Sequence, residues 1–286
     1  FYNDEYQVDL TKVTSEYFKD GKINNSKIEY ECEIEYNVKK INLDIINKSL
    51  ISVLSVTFPD TFVIFNAQFP EEYISKGNSR YKSLIDNIPE NKPINIKRDF
   101  LRDLANYSVT NKLNGDRAYL YIAGPLNGGH IFMFRKNMDI VCQTPIEFKD
   151  MYDTVLDCEF FINENKPVKE LHAFDCLVYA GSSVANLPHI DNSVVSRHDK
   201  FSLVIQRLQS LKTSLKFYAK RFYGSDDPYE NFLECITNMK LEYGPLYREM
   251  NDGLIFTPKY SPYSRSGGKY EPTYKYKFPE HMTIDF

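Results

Sequence analysis

"NKLNGDRAYLYI", residues 111–122, is the stretch on which the reading of this chain turns. A lysine, a glycine and an arginine fall within six residues. They stand just ahead of "AYLYI" (118–122), whose alternation predicts a strand, because strand side chains repeat every two residues. Alone the stretch is weak, since an exposed lysine in a loop would look the same. A lysine amine has a reference pKa of about 10.4 and is almost wholly protonated at neutral pH. Burial or neighbouring cations must lower that value before the amine attacks anything. The question is whether the rest of the chain supplies the groups such a lysine needs.

Downstream the pattern is one of strands: "RAYLYIA" (117–123), "HIFMFRK" (130–136), "TVLDCEFFI" (154–162) and "LHAFDCLVYAG" (171–181). Residues 197–223 read as a helix that sets Lys212, Lys216 and Lys220 on one stripe, a solvated face or a contact for a phosphorylated partner such as RNA. A further helix is expected at 228–241, a strand at 251–258, a loop at 261–272 and a strand at 273–278. Upstream, 97–105 predicts a short helix and 57–95 a connector with short helices, interrupted by prolines at 59, 70, 89 and 93. Residues 41–56 show helical spacing. "QVDLTKV" (7–13) and "IEYECEIEY" (28–36) alternate around the turn-forming "KDGKINNS" and predict a hairpin. Its second strand aligns Glu29, Glu31, Glu33 and Glu35 on one face, either solvated or meeting metal or basic residues across a closed barrel.

Composition narrows the classes. The net charge is 35 − 39 = −4, so no global basic field draws the chain onto nucleic acid and any such binding is local. Five cysteines without a CxxC pair argue against a disulfide framework or zinc ribbon and for reduced thiols in a cytosol-like compartment. No apolar run approaches the length of a membrane-spanning helix, so no membrane association is expected. The five histidines form no pair at metal-ligand spacing and read as structural or surface residues.

Charged residues at strand positions fit phosphate chemistry. Arg117, Arg135, Lys275 and Lys277 are candidate cations, the last two on one face of a strand. Asp157 and Glu159 share a strand face, and Asp252 precedes a glycine at the start of another strand. One or two carboxylates with phosphate oxygens suit Mg²⁺ in phosphoryl or nucleotidyl transfer.

In chain order these pieces resemble the covalent nucleotidyltransferases, and among them the GTP-dependent mRNA capping enzymes. The family's nucleophile motif is Lys-x-Asp-Gly-x-Arg, and this chain has "KLNGDR" (112–117). "FMFRKN", "LDCEFF", "FDCLVYAG" followed by "SRHDKF", "DGLIF" and "YKYKFPEHMTIDF" resemble the motifs that follow. The resemblance covers residues 93–286 and implies an α+β nucleotidyltransferase domain, similar to those of ligases and capping enzymes, with antiparallel sheets and flanking helices. It implies that Lys112 attacks the α-phosphate of GTP, that Arg117, Arg135 and Arg197 hold ribose, phosphate or RNA, and that Phe174 stacks on guanine. It further implies Lys275 and Lys277 on the α-phosphate, and Glu159 with Asp252 on Mg²⁺ or Mn²⁺. Asn114 departs from the family's Asp, Cys158 from a Gly, and Phe278 displaces a proline. The hairpin, residues 1–40, resembles the end of a metal-dependent tunnel RNA triphosphatase, with Glu33 and Glu35 as metal ligands, and 41–92 would connect the two. The implied protein is the middle of a larger capping enzyme of viral or linear-plasmid type, with an OB-type domain beyond it. GTP, RNA with a 5′-di- or triphosphate end, a methyltransferase and RNA polymerase would be its partners, in the cytoplasm or virion. The same motifs leave open an ATP-dependent polynucleotide ligase or a nucleotide-binding scaffold.

Overall fold

The structure, a computed structural model, describes residues 6–19, 22–36, 71–96, 104–125, 130–135, 138–142, 148–163, 168–211, 215–264 and 270–279. The chain divides into two compact units, Phe1–Thr61 and Phe62–Phe286.

The first unit holds an antiparallel hairpin of β1 (Tyr6–Lys19) and β2 (Lys22–Tyr36). The alternation acts as expected: Tyr6 and Val8 are buried against Ile34 and Tyr36, while Glu33 and Glu35 are exposed. The turn is much tighter than 19–26. Lys19 already pairs with Lys22 and Tyr17 with Asn25, because ladder hydrogen bonds use the backbone whatever the side chain. The helix expected at 41–56 lies outside the described residues.

The second unit is α+β and is built on two sheets. In the larger, β5 (Asp116–Ile122), β6 (Ile131–Arg135), β7 (Met138–Cys142), β8 (Thr154–Asn163), β9 (Val168–Tyr179) and β10 (Ser182–Ser183) follow the order β10-β9-β8-β5-β6-β7. β11 (Leu215–Ala219) pairs with β9 in parallel. Both faces are covered, which is why "IFMF" of β6 is apolar throughout. On one face Tyr121, Phe132, Phe134 and Val155 pack with Tyr81 of α1 (Glu71–Ile85), and Leu84 and Ile85 lie alongside. On the other, Ala118, Leu120, Leu156, Cys158 and Ala173 pack with α2 (Arg197–Leu208). That helix starts at a capping box of Ser196 and Asp199 and buries Phe201, Val204, Ile205 and Leu208, an i, i+3, i+4, i+7 stripe.

The smaller sheet is β3 (Ile94–Asn95), β13 (Tyr274–Lys277), β12 (Asn251–Pro258) and β4 (Tyr107–Leu113), in that spatial order. α3 (Pro228–Tyr243) backs it through Cys235 and Met239, and the short α4 (Tyr247–Met250) leads into β12.

Three expectations change. The helix over 197–223 stops at Leu208 and gives way to β11, whose buried and exposed residues alternate. Lysines at helical spacing had concealed that alternation. Lys216 is exposed on β11, Lys220 is buried just beyond it, and Lys212 lies outside the described residues. Second, β4 and β7 are additional strands. β4 escaped notice because its inward Ser108 and Thr110 are polar, yet both are satisfied: Ser108 Oγ donates to the Thr257 carbonyl (3.2 Å) and Thr110 Oγ1 to that of Arg221 (2.7 Å). Third, of the helix expected at 97–105 only Leu104–Asn106 is described, as a 3₁₀ turn; 97–103 lie outside.

Gly253 holds the smaller sheet together at one tight point. Its φ is +155°, and a Cβ there would stand 1.9 Å from the Tyr276 carbonyl oxygen on β13. Gly253→Ala is therefore expected to lower unfolding stability by about 2 kcal/mol or more, read by urea titration. Unchanged stability would mean that β12 and β13 do not approach this closely.

Candidate active site

The two sheets meet around a cavity of about 220 Å³. Thr110, Lys112, Ile255 and Thr257 line it from the smaller sheet. Arg117, Glu159, Phe174 and Asp175 line it from the larger one, and Lys220 and Phe222 from the segment after β11. Cross-strand register explains the grouping. Lys112 pairs with Gly253, which pairs with Lys277; Thr110 pairs with Ile255, which pairs with Lys275. Partners across a ladder share a sheet face. Arg117 likewise pairs with Glu159.

Two bulges aim the remaining groups. On β12, Asn251 pairs with Leu113 and Gly253 with Lys112, so Asp252 is an extra residue. Its carboxylate accepts from Lys112 Nζ at 2.5 Å. On β9, Ala173 pairs with Cys158 and Asp175 with Asp157, leaving Phe174 extra. The strict in-out alternation breaks there, and two successive residues, Phe174 and Asp175, reach the same cavity.

Charge is paired throughout. Lys220, 5% exposed, donates to the Glu159 carboxylate and, at 3.1 Å, to the Asn111 carbonyl, so it joins the two sheets. Arg117 makes a hydrogen bond from Nε to Asp157 (3.0 Å) and two from Nη2, to Asp157 (2.5 Å) and Tyr263 Oη (2.7 Å). Its Nη1 donates to the Asn91 carbonyl (2.6 Å) and to Glu90 (3.4 Å). Burial opposes the guanidinium's charge, but the Asp157 carboxylate outweighs it and raises the pKa of Arg117. Burial pushes the Asp157 carboxyl up, and Arg117 pulls against it. His189 is fully buried in the cavity wall, and desolvation lowers its pKa to about 4.

Of the residues singled out in the sequence, Lys112, Arg117, Glu159 and Phe174 line the cavity, and Asp252 reaches it through Lys112. Lys275 and Lys277 are half-buried on the Lys112 face of the sheet but are not part of the lining. Arg135 is not brought to the cavity. It pairs with Ala118, so it lies on the opposite face of its sheet from Arg117, with its guanidinium 5.0 Å from the Phe160 ring centre. Arg197 is 2% exposed and sits behind Asp175, held from Nε at 2.7 Å, while its Nη1 donates to the Leu187 and Ser261 carbonyls. Asp157, paired in the sequence reading with Glu159, is wholly buried and taken by Arg117 and Tyr263. Glu33 and Glu35 stand on the hairpin of the first unit, opposite Asp9 and Gln7. The nearest partner of the Lys112 amine is a carboxylate rather than the expected ring of cations.

Lys220, Asp175 and His189 were not recognised as site residues in the sequence. For none of the three does a local signal exist: Lys220 has the parity of the exposed residues of β11 yet is buried beyond its end, and a bulge and a returning loop place the other two.

Among the described residues no three His, Cys, Asp or Glu side chains form a metal cage. Glu159 and Asp252 are two carboxylates at the cavity. Each is engaged by a lysine, Glu159 by Lys220 and Asp252 by Lys112.

The chain matches the family described as mRNA capping enzyme, catalytic domain, over residues 60–279. No curated protein matches it. Among solved structures 52 chains match. One comes from work described as "DNA binding with a minimal scaffold: Structure-function analysis of Lig E DNA ligases"; it is 16% identical, covers 67% of this chain and 70% of its own, and has a TM-score of 0.37.

Two stability measurements follow from this charge arrangement. Lys220→Met leaves Glu159 uncompensated and is expected to cost about 3 kcal/mol, with Glu159→Gln in the same chain recovering part of it; a cost below about 1 kcal/mol would mean that the pair does not join the sheets. The ring of His189 is the second. Its folded pKa lies below the ordinary value of 6.5, so between pH 6.5 and about 4 the unfolded chain takes up a proton that the folded protein refuses. Stability is then lost as pH falls, by up to about 3 kcal/mol. Urea titrations at several pH values should show that loss diminished in His189→Gln.

Proposed function

The chain belongs to the mRNA capping enzyme catalytic-domain family, a family of nucleotidyltransferases, and from that premise we propose that it is an RNA guanylyltransferase. The observation that carries this reading is Lys112. Lys112 lines a cavity that Phe174, the buried Lys220 and the carboxylates Glu159 and Asp175 also line, with Asp252 on the Lys112 amine.

On this reading the Lys112 amine attacks the α-phosphorus of GTP. A P–N bond forms, the bond to the β-phosphate oxygen breaks, and pyrophosphate leaves. A terminal oxygen of a 5′-diphosphate RNA then attacks the same phosphorus, the P–N bond breaks, and the lysine is regenerated with the RNA capped. Lys112 must first lose the proton it shares with Asp252, and that carboxylate, 2.5 Å away, is the acceptor within reach. Phe174 supplies a flat apolar wall for the base, with the Lys220 ammonium 5.7 Å from its ring centre. Lys275 and Lys277 share the sheet face of Lys112 and, on this reading, meet the α-phosphate. Arg117, with its donors engaged, acts by fixing residues 90–91 and Tyr263 against the sheet, and its guanidinium also faces the cavity. Neither Arg135 nor Arg197 is assigned a substrate contact. Mg²⁺ or Mn²⁺ at Glu159 and Asp252 would neutralise phosphate charge as pyrophosphate leaves.

The hairpin's Glu33 and Glu35 belong, on the same reading, to an RNA triphosphatase. A methyltransferase and RNA polymerase in the cytoplasm or virion are its expected partners. Among the described residues no helix is long and apolar enough to cross a membrane.

Incubation with labelled nucleotide tests the proposal. Label from GTP, and not ATP, is expected to stay on the protein in a bond that is acid-labile, alkali-stable and reversed by pyrophosphate. Lys112→Ala should abolish it, and Glu159→Gln or Lys275→Ala should lower it by about 10²-fold or more. Label from ATP instead would make the chain a ligase-type adenylyltransferase. Nucleotide binding with no label in the full-length protein would make it a scaffold.

A further inference from the structure

The bulge at Phe174 is held from outside the strand ladder. It leaves the Phe174 carbonyl without a place in the β8–β9 pairing, and His189 Nε2 lies 3.2 Å from that oxygen. The next residue is braced by the same returning segment: Arg197 holds the Asp175 carboxylate, which also accepts from the Cys176 backbone N–H at 2.8 Å. A carbonyl only accepts, so Nε2 carries the proton and Nδ1 is a bare lone pair. Burial keeps the ring neutral, in keeping with this tautomer. Nδ1 is buried and has no hydrogen-bond partner among the described residues. An unpaired buried nitrogen is costly, and an aliphatic or phenyl side chain packing against Phe222, whose ring is 4.5 Å away, would avoid it. What the imidazole supplies that those side chains would not is the N–H that reaches Phe174.

We infer that His189 is a positioning residue for nucleotide binding: its Nε2–H fixes the Phe174 carbonyl in the bulge and thereby holds the Phe174 ring and the Asp175 carboxylate at the cavity wall. The inference rests on the proposed function only in taking a nucleoside triphosphate as the ligand. His189 touches no reacting atom, so it acts on binding and leaves the transfer step alone. Removing the N–H frees the bulge to relax, and the aromatic wall loses its fixed orientation.

The experiment uses the full chain with His189→Leu, which removes the N–H, and His189→Gln, whose amide restores a donor at similar reach. Affinities for magnesium-GTP and magnesium-ATP are measured by calorimetry, and KM and kcat by covalent labelling. The leucine variant should bind the preferred nucleotide about 10-fold more weakly, with KM raised in step and kcat within about 2-fold. The glutamine variant should recover to within about 3-fold of the parent. Should the leucine variant not fold, His189→Asn, with an amide too short to reach Phe174, takes its place under the same criteria. Parent-like affinity in the donorless variant overturns the inference, and so does equal weakening in the glutamine variant, which would reduce the role to filling space. A parent chain that binds nucleotide but is never labelled overturns the guanylyltransferase reading alone, because the affinities still decide the role of His189. A parent chain that binds neither nucleotide overturns both.

Discussion

A buried lysine ammonium is the constraint on which the second unit depends. Lys220 reaches from the end of β11 to a carboxylate on the larger sheet and a backbone carbonyl on the smaller one. Taking a charge out of water is expensive, and mutual attraction repays it only when good geometry satisfies both partners. The two sheets therefore have a preferred separation and angle, set by where Glu159 and Asn111 present oxygen to one ammonium group. The cavity is the space left when that requirement is met, with Lys112 on one side and Phe174 on the other.

Regular strands could not furnish the lining by themselves. Strict alternation offers a cavity only every second residue, whereas this one receives Phe174 and Asp175 consecutively and Asp252 beside Lys112. Each is delivered by a single extra residue in a ladder. Bulges cost backbone pairing, so each comes with a brace. Gly253 lets β12 press against β13 beside Asp252, and the His189–Arg197 segment supports Phe174 and Asp175. The functional groups and the irregular backbone therefore occur together, because the irregularity is what directs the groups.

The strands of the larger sheet were legible in the sequence wherever apolar alternation or an unbroken apolar run marked them, as in "AYLYI" and "IFMF". β4 was not, because its inward residues are hydroxyls whose satisfaction depends on Thr257 and Arg221, far away in the chain. The helix ending at Leu208 was extended too far because lysines at 212, 216 and 220 happen to fit a helical period; the alternation of buried Leu215 and Phe217 with exposed Lys216 and Tyr218 shows a strand's logic, and Lys220 is buried only beyond the strand's end. At the site, Lys112, Arg117, Glu159 and Asp252 followed from an ordered set of short motifs. Lys220 and His189 required tertiary structure, since neither lies near another site residue in sequence. Arg135 is not brought to the cavity, because its partner Ala118 is one residue along β5 from Arg117 and so faces the other side of the sheet.

The departure at position 114 fits the charge arrangement. Asn114 is exposed, and its backbone N–H donates to the Met250 carbonyl at 3.0 Å, which ties the end of β4 to the segment entering β12. That tie needs no carboxylate. The carboxylate that meets the Lys112 amine comes from the β12 bulge at Asp252. With a neutral amide at 114, the charge of Lys112 is balanced by one group on a neighbouring strand. Where the Asp252 carboxylate meets that amine then depends on how the bulge sits against Gly253 and β13, so the tight backbone contact in the smaller sheet sets the geometry of the ion pair.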